Sequence, residues 1–308
     1  MIKKIESCNI SFIIPAYNCE HTISETVESI LKNIEADDEV IIVNDCSTDN
    51  TLYIIQQYAN QNAQIKIVQH KVNKGGAATR NTAVENSSND LIFCLDSDNV
   101  LLENTICKLK QALLDADADA AAFQSVTFFS KKITNISHKW FFKNKYITLQ
   151  DALCSGVCPI SSGNYLYKKS SWRKVGGYPE FAKSLDAWGF GLRQLANNHK
   201  MIILEGSTYL HRVGHESYWI REAKINNLST IAWKILEPFF DKLAPVSKSY
   251  LLTEKGMSTW FGELEARPII VKNNLIGQSG VVLNRNNKLV SKISMLSKII
   301  FKIKTALV

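Results

Sequence analysis

The chain is predicted to fold as an α/β protein, a mainly parallel sheet flanked by helices with a helical C-terminal extension. Three observations carry this. Short β-branched runs alternate with helical periodicities through the first hundred residues. The fourth such run, Leu91 to Leu95, stops at two carboxylates, Asp96 and Asp98. Polar clusters fall at the ends of all four expected strands: Tyr17-Asn18, Asn44-Asp45, Lys74 to Arg80, and Asp96 to Asp98. In open parallel sheets, ligands bind beyond the carboxyl ends of the strands, so these clusters are expected to share one rim.

The elements follow in order. Ile10 to Ile14 is a buried strand closed by Pro15, and Glu20 to Ile34 is a helix with Ile23, Val27, Ile30, Leu31 and Ile34 on one face. Val40 to Val43 is the second strand, and Ser47-Thr48-Asp49 supplies N-cap chemistry for a helix from Thr51 to Ala59. Ile65 to Val68 is the third strand, and Gly75-Gly76 opens an Ala-rich helix to about Asn86. After Asp98 come a helix from Glu103 to Asp115 and a strand from Ala120 to Phe129. Lys131 to Leu149 is basic, aromatic and unpatterned, and is expected to be a substrate-shaping loop. A short strand from Tyr165 to Tyr167, a turn at Gly176 to Pro179, a helix after Asp186 and a strand from Met201 to Leu204 complete the domain, and His211 to Trp219 reads as a polar loop. The expected boundaries are 1–220 for the domain and 221–308 for the extension. Leu289 to Val308 has the pattern of a basic amphipathic helix, which would dock either on the domain or on an anionic membrane.

Composition narrows the class. With 308 residues, 45% of them apolar and 21% charged, the chain is that of an ordinary globular protein. Its formal charge of +7 suits an anionic small substrate or an anionic membrane surface, and does not argue for nucleic acid. The seven cysteines are scattered without a Cys-x-x-Cys pair, as expected of reduced thiols in an intracellular protein. Neither a signal peptide nor a run of about 20 apolar residues is found, so the expectation is a cytoplasmic protein, soluble or peripheral on the inner face of the membrane.

Asp96 and Asp98, spaced i and i+2, can project to one side where a strand leaves the sheet. Mg²⁺ and Mn²⁺ favour such hard oxygen ligands together with substrate phosphates, so a metal–diphosphate site is expected there. Loop chemistry after a strand is the plainer alternative. An EF-hand is excluded because Val100 and Leu101 occupy positions that the motif gives to an oxygen ligand and a glycine.

Four segments in order, Ile14-Pro15-Ala16-Tyr17-Asn18, Val43-Asn44-Asp45-Cys46-Ser47-Thr48-Asp49, Asn73-Lys74-Gly75-Gly76 with Arg80-Asn81, and Asp96-Ser97-Asp98, resemble the signatures of family 2 glycosyltransferases of the GT-A (Rossmann-like) fold. The likeness covers roughly residues 9 to 220. It implies a nucleotide diphosphate sugar, commonly a UDP-sugar, held with Mn²⁺ or Mg²⁺ by Pro15, Tyr17, Asn18, Asp45, Gly75, Arg80 and Asp96. By the same resemblance Asp45 accepts a hydrogen bond from the base, Arg80 lies near the nucleotide, Asp96 lies near ribose and metal, and Asp98 ligates the metal directly. Asn44 departs from the family, which more often has Asp there. His211-Arg212-Val213-Gly214-His215 is similar to a segment of related GT-A transferases in which the last histidine is a third metal ligand, implying that role for His215. A zincin helix is excluded by Trp219.

An inverting transfer needs a carboxylate base opposite the leaving group. The family usually carries Glu-Asp near Leu185-Asp186-Ala187. One alignment makes Asp186 the base, the other sets it on the Glu, and in both Asp186 is the only carboxylate between Glu180 and Glu205. N-capping of the next helix is its structural alternative. Trp188 and Trp219 would stack on a sugar or, more simply, fill the core. The function expected is transfer of one sugar to a glycan or lipid-linked acceptor in surface-polysaccharide synthesis. The rivals are a sugar-phosphate nucleotidyltransferase, which would need a glycine-rich loop in place of Pro15-Ala16-Tyr17-Asn18, and a non-catalytic nucleotide-sugar-binding module.

Overall fold

The computed structural model describes residues 9–154, 157–214, 218, 222, 225–226, 228–242 and 280–284. The N-terminal half alternates β1 (Ile10–Ala16), α1 (Ile23–Leu31), β2 (Glu39–Asn44), α2 (Thr51–Gln61), β3 (Ile65–Gln69), α3 (Gly76–Glu85) and β4 (Leu91–Cys94). These strands lie in the order β3-β2-β1-β4, all parallel. Because the order reverses between β1 and its neighbours β2 and β4, a crevice opens at their carboxyl ends. Side chains alternate across β1. Phe12 and Ile14 pack with Val27, Ile30 and Leu109 on one face, and Ile13 packs with Val84, Phe190 and Leu192 on the other.

Beyond β4 the sheet becomes mixed. The elements are α4 (Ile106–Asp115), β5 (Ala120–Ser130), β6 (Lys132–Phe142), β7 (Tyr146–Ile147), α5 (Leu149–Cys154), α6 (Pro159–Ser162), β8 (Leu166–Lys168), α7 (Lys169–Val175), α8 (Asp186–Ala196) and β9 (Met201–Val213). β8 runs antiparallel to β4 and β5, and β5 pairs in parallel with β9. A 3-10 segment, Glu180–Leu185, leads directly into α8.

Two expectations need correction. Lys131 to Leu149 is no unpatterned loop, since most of it is β6, the antiparallel partner of β5 across a tight turn at Lys131 (φ +56°). The exposed residues 132–135 at the start of β6 give no apolar alternation to read. β9 continues to Val213 where a strand ending at Leu204 was expected, so His211 and Arg212 sit on a strand. A register shift opposite Phe123 to Ser125 and Gly206 at φ +73° mark an irregularity that interrupts the pattern without ending the pairing.

In the extension, α9 (Leu228–Leu236) is followed by a 3-10 turn, Glu237–Lys242. Ala232, Ile235 and Leu236 are buried in the same core as Phe190 and Leu195. Within the same extension β10 (Gly280–Asn284) is a strand, antiparallel to β6. The amphipathic segment from Leu289 to Val308 lies outside the described residues. Among the described residues no helix is long and apolar enough to cross a membrane.

Candidate functional site

The loops after β1 and β2 are tied together at the carboxyl rim. Asn18 and Cys46 both adopt left-handed backbone conformations, φ +47° and +61°. The Asn18 N–H donates to Ser47 Oγ (3.1 Å), and Asn18 Oδ1 accepts from the Thr48 N–H (2.8 Å). Pro15 is the β1 residue that pairs with Val43. Beside it Tyr17 keeps 39% of its surface exposed, a sizeable aromatic face at the mouth of the crevice.

Asp45 is a buried hub. Its Oδ1 lies 2.7 Å from His70 Nδ1 and accepts the Lys74 N–H (2.9 Å), and its Oδ2 accepts the Gly75 N–H (2.8 Å). His70 Nε2 in turn meets Thr82 Oγ1 at 3.0 Å. The carboxylate thus pins the 73–75 loop over the end of β2, with Gly75 at φ +86°, a conformation that suits a residue without Cβ. Asp45 is only 2% exposed, so a base could reach it only if that loop shifted.

Arg80 links two carboxylates from distant parts of the chain. Its Nη2 donates to Asp96 Oδ1 (2.5 Å) and its Nη1 to Asp186 Oδ2 (2.6 Å). Asp186, the first residue of α8, is 3% exposed, and its Oδ1 accepts the Ala187 N–H (2.8 Å). Burial raises the Asp186 carboxyl above the ordinary carboxylate range even though Arg80 pulls the other way. Burial works against the guanidinium charge as well, but Asp186 and Asp96 hold it well above its ordinary value. Asn164 fixes Asp96 from the other side, accepting its backbone N–H (2.7 Å) and donating to Oδ2 (3.1 Å).

The turn after Asp96 is held between β9 and α1. Arg212 donates from Nε to the Asp98 carbonyl (3.1 Å) and from its backbone to Asn99 Oδ1 (3.0 Å), pairs with Glu25, and lies over the Phe129 ring at 4.5 Å. Thr26 Oγ1 donates to the Asn99 carbonyl (2.9 Å). His211 sits in a cluster with Asn99, Tyr209 and Phe128. His215 and Trp219 lie outside the described residues. Trp188 donates to the Ala152 carbonyl (3.4 Å) and packs against the core.

For a divalent cation the donor chemistry fits, since Asp96 and Asp98 offer hard oxygens at the end of β4. Both oxygens of Asp96 already have protein partners, Arg80 and Asn164. Among the described residues no cluster of three His, Cys, Asp or Glu side chains forms a ready-made cage. Such a pair suits a cation that keeps several ligands from substrate.

The structure therefore brings Arg80, Asp96 and Asp186 together and sets Asp45 with Gly75 and Pro15 with Tyr17 and Asn18 along the same strand ends. Sequence reasoning passed over His70 and Asn164. His70 directly follows the third strand, where the strand-end rule would have pointed to it, and Asn164 immediately precedes the short strand expected from Tyr165 to Tyr167.

Residues 11–176 match the family described as Glycosyl transferase family 2. The chain is 34% identical over 229 residues to the poly(ribitol-phosphate) beta-N-acetylglucosaminyltransferase TarS of Staphylococcus aureus, covering 70% of this chain and 37% of that one. It is 37% identical over 97 residues to the UDP-Glc:alpha-D-GlcNAc-diphosphoundecaprenol beta-1,3-glucosyltransferase WfgD of Escherichia coli, covering 32% and 38%. The chain thus spans well under half the length of both relatives. The crystal structure of S. aureus TarS 1–349 in complex with UDP-GlcNAc aligns with a TM-score of 0.63 at 21% identity, over 80% of this chain and 71% of that one, which shows a shared fold, the GT-A arrangement of a mixed sheet flanked by helices. With more than half of its length, from β1 to the end of α7, matched to the family, the protein belongs to glycosyl transferase family 2.

Proposed function

We propose that the protein is a metal-dependent inverting glycosyltransferase that moves one sugar from a UDP-sugar to a hydroxyl of a glycan or lipid-linked acceptor in surface-polysaccharide synthesis. The observation that carries this reading is the Asp96–Arg80–Asp186 bridge, which holds a buried carboxylate at the rim where the nucleotide loops end. The relatives support the substrate class: TarS is an N-acetylglucosaminyltransferase whose fragment binds UDP-GlcNAc, and WfgD is a UDP-glucose enzyme acting on a diphosphoundecaprenol-linked sugar.

In this reading Tyr17 and the Pro15 to Asn18 loop receive the nucleotide, with the Asp45 hub shaping the facing loop. Asp186 takes the proton of the acceptor hydroxyl as its oxygen bonds to the anomeric carbon. The bond from that carbon to the diphosphate oxygen breaks, and the electron pair leaves with UDP. Asp98, with Asp96 beside it, would hold Mn²⁺ or Mg²⁺, and a cation there supplies Lewis-acid stabilisation of the departing diphosphate. The site would work in the cytoplasm, and a lipid-linked acceptor would bring the protein to the inner membrane surface. Processive synthesis is disfavoured by the lack of a Gln-x-x-Arg-Trp motif in the sequence.

The test is UDP release from UDP-sugars with Mn²⁺ or Mg²⁺ by the parent protein and the Asp186→Asn variant. The variant is expected to bind the donor and to turn over about 10²- to 10⁴-fold more slowly, the range for losing a general base. Donor binding with no turnover in either protein would instead establish a binding module.

A further inference from the structure

We propose that Arg80 is a positioning residue for Asp186, aiming its carboxylate by bridging it to the donor-side Asp96. The inference rests on the reading of Asp186 as the base, and it departs from the nucleotide contact that family resemblance implies for Arg80. A guanidinium is a rigid planar fork, so two carboxylates bound to its two terminal nitrogens are fixed in relative position as well as in charge. Asp186 and Asp96 are so bound, at 2.6 and 2.5 Å, although 90 residues of chain separate them (186 − 96). Arg80 is itself largely buried. Its side chain is 11% exposed, and its buried Nε has no hydrogen-bond partner. Two of the five guanidinium N–H donors thus serve the two carboxylates, and a further side-chain contact reaches buried Cys94.

The surroundings leave the bridge little freedom. The Tyr178 ring centroid is 5.8 Å from Arg80 Cζ, and buried Cys94 lies against the group. Gly76, the first residue of α3, faces the contact directly. A Cβ there would stand 2.8 Å from Arg80 Nη1 and 3.2 Å from Asp186 Oδ2. The gap left by that glycine is the space the ion pair occupies. Any donor group that draws on Asp96 would therefore be felt at Asp186 through one shared cation.

A nucleotide-binding arginine and a base-positioning one differ in what their loss does to steady-state kinetics. Arg80→Lys keeps a charge but cannot reach both carboxylates in fixed geometry. Gly76→Ala leaves every charged group in place, adds a helix-favouring residue, and pushes on the bridge. For Arg80→Lys kcat is expected to fall about 100-fold, the scale for a misplacement of roughly 1 Å, with the donor KM within about twofold of the parent. Gly76→Ala is expected to lower kcat about tenfold, again at unchanged donor KM, with a cooperative unfolding transition retained at a Tm a few degrees below that of the parent. If either folded variant raises the donor KM and keeps kcat, Arg80 serves the nucleotide and the proposal is overturned. Should Arg80→Lys fail to fold, Gly76→Ala alone decides. Asp186→Asn, run alongside, separates the two levels: full turnover by that variant removes the base itself, whereas its loss together with a KM effect at Arg80 removes only the positioning role.

Discussion

Replacing His70 by alanine probes how the loop over the proposed nucleotide crevice is held. The imidazole is 6% exposed and contacts Asp45 Oδ1 at 2.7 Å and Thr82 Oγ1 at 3.0 Å. A hydrogen bond to a carboxylate contributes about 1.5–3 kcal/mol, and the Thr82 contact adds about 1 kcal/mol. Asp45 keeps the Lys74 and Gly75 N–H groups, so it is not orphaned, and the cost stays near the lower end, about 2–3 kcal/mol. For a domain of this size that lowers Tm by roughly 4–10 °C. Because the same carboxylate ties down residues 73–75, UDP affinity should weaken as well, by about tenfold for each 1.4 kcal/mol of loop order lost. Urea unfolding and calorimetric titration with UDP measure both effects, and Thr82→Val, which removes only the outer contact, should lose about 1 kcal/mol. A His70→Ala protein with parental stability and parental UDP affinity would refute the hub, leaving the loop held by its backbone bonds alone.

Two further outcomes concern stability. A Cβ on Gly191 would lie 2.4 Å from both Cβ and Cγ2 of Ile160, a fully buried residue of α6, so Gly191→Ala should overpack. Overpacking of about 3 kcal/mol less the helix gain of about 1 kcal/mol predicts a net loss of about 2 kcal/mol in urea, and a stabilised variant would show α6 shifting freely. Burial tends to raise the Glu39 carboxyl, but Lys66, Ser11 and the Ser88 N–H outweigh it and hold the group below its ordinary value. A depressed carboxylate stabilises above its unfolded pKa of about 4.3 and loses that contribution as pH falls through the lower folded value, so Glu39→Gln should flatten the acid limb of the stability curve, and an unchanged limb would refute this.

What could be read in advance was set by local rules. β1 to β4 and their helices carry dense apolar periodicity, and strand-end polarity marked Asp45, Arg80 and Asp96 because parallel strands deliver their ends to one rim. β6 escaped notice since its first residues face solvent, and the far half of β9 since its pattern is interrupted near Gly206. The contact between Arg80 and Asp186 spans 106 residues, and no periodicity encodes a pairing at that separation. Asn164 was hidden for the same reason, as its partner Asp96 lies 68 residues away.

The ambiguity over which residue of the 185–187 segment faces the rim is resolved by packing. At the start of α8, Asp186 and Ala187 point in different directions because successive helical residues are rotated by about 100°. The Asp186 carboxylate reaches Arg80, whereas a Cβ built on Gly163 would meet the Ala187 Cβ at 2.9 Å, which puts Ala187 against the end of α6. A larger side chain at 187 would press on that backbone and still not turn toward the guanidinium. Farther along α8, a Cβ on Gly189 would stand 2.8 Å from Pro179 Cγ, and one on Gly191 would strike Ile160, so the helix is seated by close contacts on both sides. Those contacts fix its rotation about its own axis. Departure from the Glu-Asp pattern at 187 therefore leaves the rim with its carboxylate, because the seat of α8 selects position 186.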